Sequence, residues 1–143
     1  MYKAQEFRLG RIFQIKCDPG DDYFTQINAF VREKNIRAGS VFLLGALSET
    51  KIVSGFNSME GHDLRHHHFV DWRELVGYGN ISWPEKPPAI LGDVVWDEPQ
   101  PFVHIHLGLS GGPGATEETL IGHLCDGTIK GGLTTQIYEL LID

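Results

Sequence analysis

Only one stretch of this chain carries helical periodicity, and that restricts the fold more than any other feature. Phe24, Ile27, Phe30 and Val31 recur at the three- and four-residue steps that gather on one helix face. Asp21 or Asp22 can cap the start, where an anionic side chain meets unpaired backbone N–H groups. Arg32, Lys34 and Arg37 lie at the basic end. The pattern predicts a helix over Asp22 to Lys34. Everything else apolar comes in short runs broken by glycine, proline or polar residues. Within Glu6 to Cys17, the residues Phe13, Ile15 and Cys17 alternate with Gln14 and Lys16, the period of a half-buried strand. The turn residues Asp18-Pro19-Gly20-Asp21 follow.

Gly39 to Leu47 and Thr50 to Phe56 read as neighbouring strands. Arg65 to Val76 reads as another, anchored by Phe69 and Trp72 and interrupted or bulged at Gly77 to Asn80, since glycine in a strand marks a close backbone approach. Pro84, Pro87 and Pro88 make a surface loop, after which Ala89 to Trp96 returns as a strand. Phe102 to Leu109, Leu120 to Cys125 and Leu133 to Ile142 bring the set to roughly seven or eight strands. No βαβ rhythm supports a parallel sheet. The expected fold is therefore a compact antiparallel β-rich α+β domain with one main helix, spanning residues 1–143 as a single domain.

Charge narrows the function. The formal net charge is −7 and the 12 basic residues are scattered, which disfavours direct duplex DNA binding by one subunit. Cys17 and Cys125 give no disulfide framework and are expected as small apolar core residues. The N-terminal MYKAQEFRLGR lacks the apolar core of a secretory signal, and no apolar run nears the ~20 residues needed to cross a bilayer. A reducing cytoplasm is the expected compartment.

The chemistry concentrates in Val103-His104-Ile105-His106-Leu107. On a strand, His104 and His106 project from one face and Val103, Ile105 and Leu107 from the other. Two adjacent imidazoles can grip one metal ion. His123, in Ile121-Gly122-His123-Leu124, supplies a third if the two segments pair as a hairpin. His123 opposite His104 or His106 puts all three on one face. His123 opposite Ile105 puts it on the wrong face. Gly122 is expected to keep bulk away from the site. Three neutral imidazoles suit Zn²⁺, and also Fe²⁺, Ni²⁺ or Co²⁺, and leave a coordination position open for water or a small ligand.

Other candidates are weaker. His66-His67-His68 is expected as a solvated stretch with His66 and His68 on one face, and His62 as a loop residue. Glu49 and Glu74 are candidate general bases or hydrogen-bond partners of the metal-binding imidazoles. Asn80, between Gly79 and Ile81, is a candidate ligand-binding amide. Ser110 to Ala115 is a flexible connection; it lacks the Lys-Ser/Thr ending and following helix of a phosphate loop.

An H-x-H pair also occurs in cupins, which place a Glu four or five residues after the second His, where this chain has Ser110 and Gly111. A fuller match runs along nearly the whole chain: Pro19-Gly20-Asp21, then Gly45-Ala46-Leu47-Ser48-Glu49, Glu74-Leu75, Gly79-Asn80-Ile81-Ser82, Pro101-Phe102-Val103-His104-Ile105-His106-Leu107 and Gly122-His123-Leu124. This combination resembles the plants and prokaryotes conserved (PPC) domain family. The resemblance implies an α+β domain that assembles as a homotrimer, with zinc or a similar metal on His104, His106 and His123. Plant relatives add Arg-Gly-Arg-Pro hooks that bind the DNA minor groove; this chain has none. The segment from Trp83 to Gln100 is longer than the family's usual link and carries Trp83 and Trp96, so it is expected to cover the site, form a subunit contact, or lie at the periphery.

Three functions remain open. They are a metal-binding oligomer with a small-molecule site, a regulatory or scaffolding module with a structural metal, and a DNA-associated protein without its own hook.

Overall fold

A computed structural model describes residues 1–61, 63–115 and 119–142. In chain order it has strand β1 (Arg8–Lys16), helix α1 (Tyr23–Lys34), and strands β2 (Gly39–Phe56), β3 (Leu64–Phe69), β4 (Arg73–Ser82), β5 (Phe102–Leu109) and β6 (Leu120–Leu141). All the strand pairings are antiparallel. Helix and class match the sequence reading. Asp22 is the N-cap, accepting from the Thr25 N–H at 2.9 Å, and Asn35 ends the helix in the left-handed conformation.

The strand set differs from expectation in one consistent way. Gly39–Leu47 and Thr50–Phe56 are not two strands but the single long strand β2, and the segments around Leu120–Cys125 and Leu133–Ile142 are likewise one strand, β6. The apparent breaks are bends at which register shifts between β2 and β6. Glycine permits them: a Cβ on Gly45 would lie 2.4 Å from the Leu133 Cα, and Gly45, Gly131 and Gly132 all have positive φ. Arg65 to Val76 is instead divided between β3 and β4, with Trp72 exposed between them. Gly77 to Asn80 runs in register inside β4 without a bulge. Ala89 to Trp96 forms no strand; Ala89–Leu91 is a 3₁₀ turn.

Because they bend, β2 and β6 are each used twice. The first half of β2 lies between β4 and the second half of β6; its second half lies between β3 and the first half of β6. The first half of β6 also pairs with β5, and its second half with β1. The pairings β2–β4–β5–β6–β2 thus close a ring.

One sheet face is covered by α1. Tyr23, Ile27 and Val31 pack against Val41, Leu43, Ile105, Leu107 and Ile137, all buried. Each such side chain contributes on the order of 1.5–3 kcal/mol by leaving water. The buried Tyr23 hydroxyl meets Thr135 Oγ1 at 2.8 Å, so its polar end is satisfied. The opposite face carries cross-strand rows with no covering element among the described residues. Leu44, Val76, Gly108 and Ile121 form one row; Phe42, Tyr78, His106 and His123 form the next. Leu44, Val76 and Ile121 are 65%, 64% and 70% exposed.

Candidate metal centre

The β5–β6 register decides which way His123 points. His106 stands directly opposite His123, with Leu107 opposite Gly122 and Leu109 opposite Leu120. His104 is two residues along β5 on the same face. Val103, Ile105, Leu107 and Leu109 turn the other way and are buried. The three imidazoles therefore gather. Their ring centroids lie 5.1 Å apart for His104–His106 and for His104–His123, and 5.7 Å apart for His106–His123. One nitrogen from each falls within 4.8 Å of the others.

Two backbone contacts build this geometry. Gly79 on β4 faces the core side opposite Ile105, and a Cβ there would lie 2.1 Å from the His104 carbonyl oxygen. Gly122 does the same on β6: its Cβ would lie 1.9 Å from the Val53 carbonyl oxygen. The expectation that Gly122 clears space at the site is therefore corrected. Its missing side chain faces away from the imidazoles and lets β2 lie against β6.

Environment sets the protonation state. His123 is only 7% exposed. Burial, reinforced by the charges that His104 and His106 would carry, pushes its pKa down to about 4. His104 is lowered for the same reasons, burial first and His106 second. The neutral imidazole is the form that donates a lone pair to a metal. The donor set and its spacing thus fit a divalent transition ion, held on one flank by buried His123 and open to solvent at exposed His106.

The other candidates are dispersed. Glu49 lies farther along β2, and its carboxylate pairs with His68 Nε2 at 2.5 Å. Glu74 is the second residue of β4, where its backbone N–H donates to Ser110 Oγ at 3.0 Å. Among the described residues neither carboxylate is hydrogen-bonded to the three imidazoles. Asn80 is exposed and stands directly opposite His104 on the same face. His66 and His68 are exposed on β3, while His67 stacks on Phe69 with centroids 5.7 Å apart. His62 lies outside the described residues. Cys17 is half-buried against the core, but Cys125 is exposed rather than a core residue.

Sequence reasoning missed Tyr78 and the cavity beside His123, though covering the site was one of its alternatives for the Trp83 to Gln100 segment. Tyr78 stands opposite His106, a placement that needs the β4–β5 register. The segment after Trp83 also turns back over α1 and encloses a cavity of about 440 Å³ with His123 in its wall. Trp83 anchors its start by donating its indole N–H to the Ile36 carbonyl at 2.7 Å.

Known proteins match this fold and length. A metal-containing protein from Archaeoglobus fulgidus superposes with a TM-score of 0.76 at 25% identity, covering 99% of this chain and 88% of that one. A plant- and prokaryote-conserved (PPC) protein from Pyrococcus horikoshii gives 0.75 at 22% identity, covering 99% and 87%. A candidate DNA-binding protein from Bacteroides thetaiotaomicron gives 0.65 at 22%, covering 93% and 82%. None of the curated proteins matches the chain. The model of the Plants and Prokaryotes Conserved (PCC) domain matches residues 4–139, the same family as the PPC resemblance of the sequence, and the chain belongs to it.

Proposed function

We propose that this protein binds one divalent transition metal, with zinc the best fit, on His104, His106 and His123, and uses the remaining coordination position for a small molecule. The observation that carries this reading is the convergence of three imidazole nitrogens within 4.8 Å from two paired strands. The name of the Archaeoglobus relative as metal-containing supports it. Three protein ligands rather than four is the pattern of a reactive or ligand-binding site, not a closed structural one. When bound there, such an ion acts as a Lewis acid toward the group in its open position. The chain's own contribution is positional. The β5–β6 register orients the imidazoles, burial keeps His123 neutral, and Asn80 and Tyr78 stand on the same face as neighbours of His104 and His106.

We further propose that copies of this chain associate as a homotrimer through the uncovered sheet face. Its apolar rows adjoin the histidines, and exposed patches of this kind mark interaction surfaces. The same apolar face and the net charge of −7 weigh against direct contact with nucleic acid.

The test is metal content by plasma mass spectrometry on untagged protein beside His104→Ala. Near one metal per chain in the wild type, lost in the variant, is the expected result. A wild type that stays empty after reloading, or a variant that keeps its metal, would refute the site.

A further inference from the structure

The uncovered sheet face differs in chemistry between its two ends. The three imidazoles stand at one end. At the other stands Glu74, opposite Ala46 and beyond the row of Leu44, Val76, Gly108 and Ile121. Glu74, Val76 and Tyr78 alternate along β4, so they point from the same face, and all three are exposed. The row that separates the two ends holds no charged side chain. Among the described residues no hydrogen bond or ion pair engages the Glu74 carboxylate; only the Glu74 backbone is bonded, to Ser110.

Within one chain the two ends cannot meet. Tyr78 stands opposite His106, and Glu74 lies four residues from Tyr78 on an extended strand, about 13 Å away. That is beyond the length of a glutamate side chain. Two copies can bring the ends together. Chains arranged about a three-fold axis touch head to tail, so the patch that one copy offers differs from the patch that it receives. A cation seat, an apolar strip and a free carboxylate on one face supply both halves of such a contact. Their opposite charges also set its direction, because like ends repel.

We propose that the partner subunit's Glu74 completes the metal centre, its carboxylate facing the coordination position that the three imidazoles leave open. The proposal rests on the metal-site and homotrimer readings and deepens them. Each site becomes a junction between two copies, and around a closed ring every copy gives one carboxylate and receives one. The occupant is narrowed as well. It meets the ion with one group and offers an N–H or O–H to the carboxylate, which can only accept.

The experiment is competitive Zn²⁺ titration, with light scattering, on the wild type, Glu74→Gln and His106→Ala, and on mixed trimers of the two variants. The mixed trimers are made by co-expressing the variants with two different affinity tags and purifying through both. Glu74→Gln should bind Zn²⁺ about tenfold or more weakly than the wild type, the loss seen when a group beside a metal ligand is removed. Its circular dichroism spectrum should be unchanged, since Glu74 is exposed. Every mixed trimer has one junction at which the carboxylate of a His106→Ala copy meets the three histidines of a Glu74→Gln copy. One tight site per mixed trimer should therefore return, although neither variant alone has any. Wild-type Zn²⁺ affinity in Glu74→Gln overturns the proposal. Mixed protein without a tight site also overturns it, because Glu74 would then act only within its own chain, and so does a wild type that binds Zn²⁺ as a monomer. Each of these results leaves the three-histidine reading standing. A wild type that takes up no Zn²⁺ after reloading removes that reading, and this proposal falls with it.

Discussion

Gly122→Ala tests whether the proposed metal centre is built from backbone packing rather than from the histidines alone. The added Cβ would lie 1.9 Å from the Val53 carbonyl oxygen and 2.8 Å from its carbon. An ordinary C···O approach is about 3.3 Å, so the strands must separate by more than 1 Å. Backbone cannot swing aside as a flexible side chain can. Overpacking of this kind costs about 1–3 kcal/mol. Weakening one or two ladder hydrogen bonds between β6 and β2 brings the expected loss to about 2–4 kcal/mol. The same shift moves His123, and a metal held as proposed would tolerate a ligand displacement of only ~0.2 Å. Metal affinity should therefore fall at least tenfold, the range seen when groups that orient a ligand are removed. The matched control is Gly108→Ala on the partner strand. Its Cβ would meet nothing closer than the Thr119 Cγ2 at 3.8 Å. That variant should keep wild-type metal affinity, because its Cβ stands on the uncovered face clear of the contact between β6 and β2, and its stability should not fall when both proteins are compared as monomers in the Leu44→Asp background. Urea denaturation and competitive metal titration on both variants give the answer. Equal stability and equal metal affinity in the two would refute the argument.

Two further outcomes follow from the same geometry. In the chelated protein, His123 has a folded pKa near 4 against an ordinary value of 6.5. The unfolded chain therefore takes up this proton first, so the stability is intact above about pH 6.5 and is lost as pH falls toward 4, by about 2–3 kcal/mol. His104 adds in the same direction. His123→Gln should show a shallower decline across that window in denaturation midpoints; an identical slope would count against buried, neutral His123. On the outer face, Leu44→Asp should convert the proposed trimer to monomers by light scattering at micromolar concentration while leaving the circular dichroism spectrum intact, since Leu44 is 65% exposed within one chain. An unchanged mass would mean that this face is not the interface.

Much of the site was legible in the residues because a strand period of two is unambiguous when it alternates histidine with Val, Ile and Leu. Placing His123 beside the pair needed only one of two registers, and the chain adopts His106 opposite His123. The helix was equally plain, since Phe24, Ile27 and Val31 share a face and Asp22 caps it. The long strands were not legible. Glycines 45, 131 and 132 look like ends of elements, whereas here they bend strands that continue. The cavity was hidden for another reason. Asn28 and Arg32 follow Phe24 at four-residue steps, which marks a shared face, but what covers that face comes from residues some 60 positions later, about 90 to 100.

The double use of β6 also fixes an order of events during synthesis. β6 follows every strand it pairs with, so β1, β2 and β5 emerge from the ribosome before the strand that comes to occupy their edges. His104 and His106 exist as a bare pair until His123 is made, and they become a three-ligand trap only when β6 docks between β2 and β5. On the proposed metal site, three-ligand affinity would therefore arise only once the sheet has closed, so that metal and fold would be acquired together.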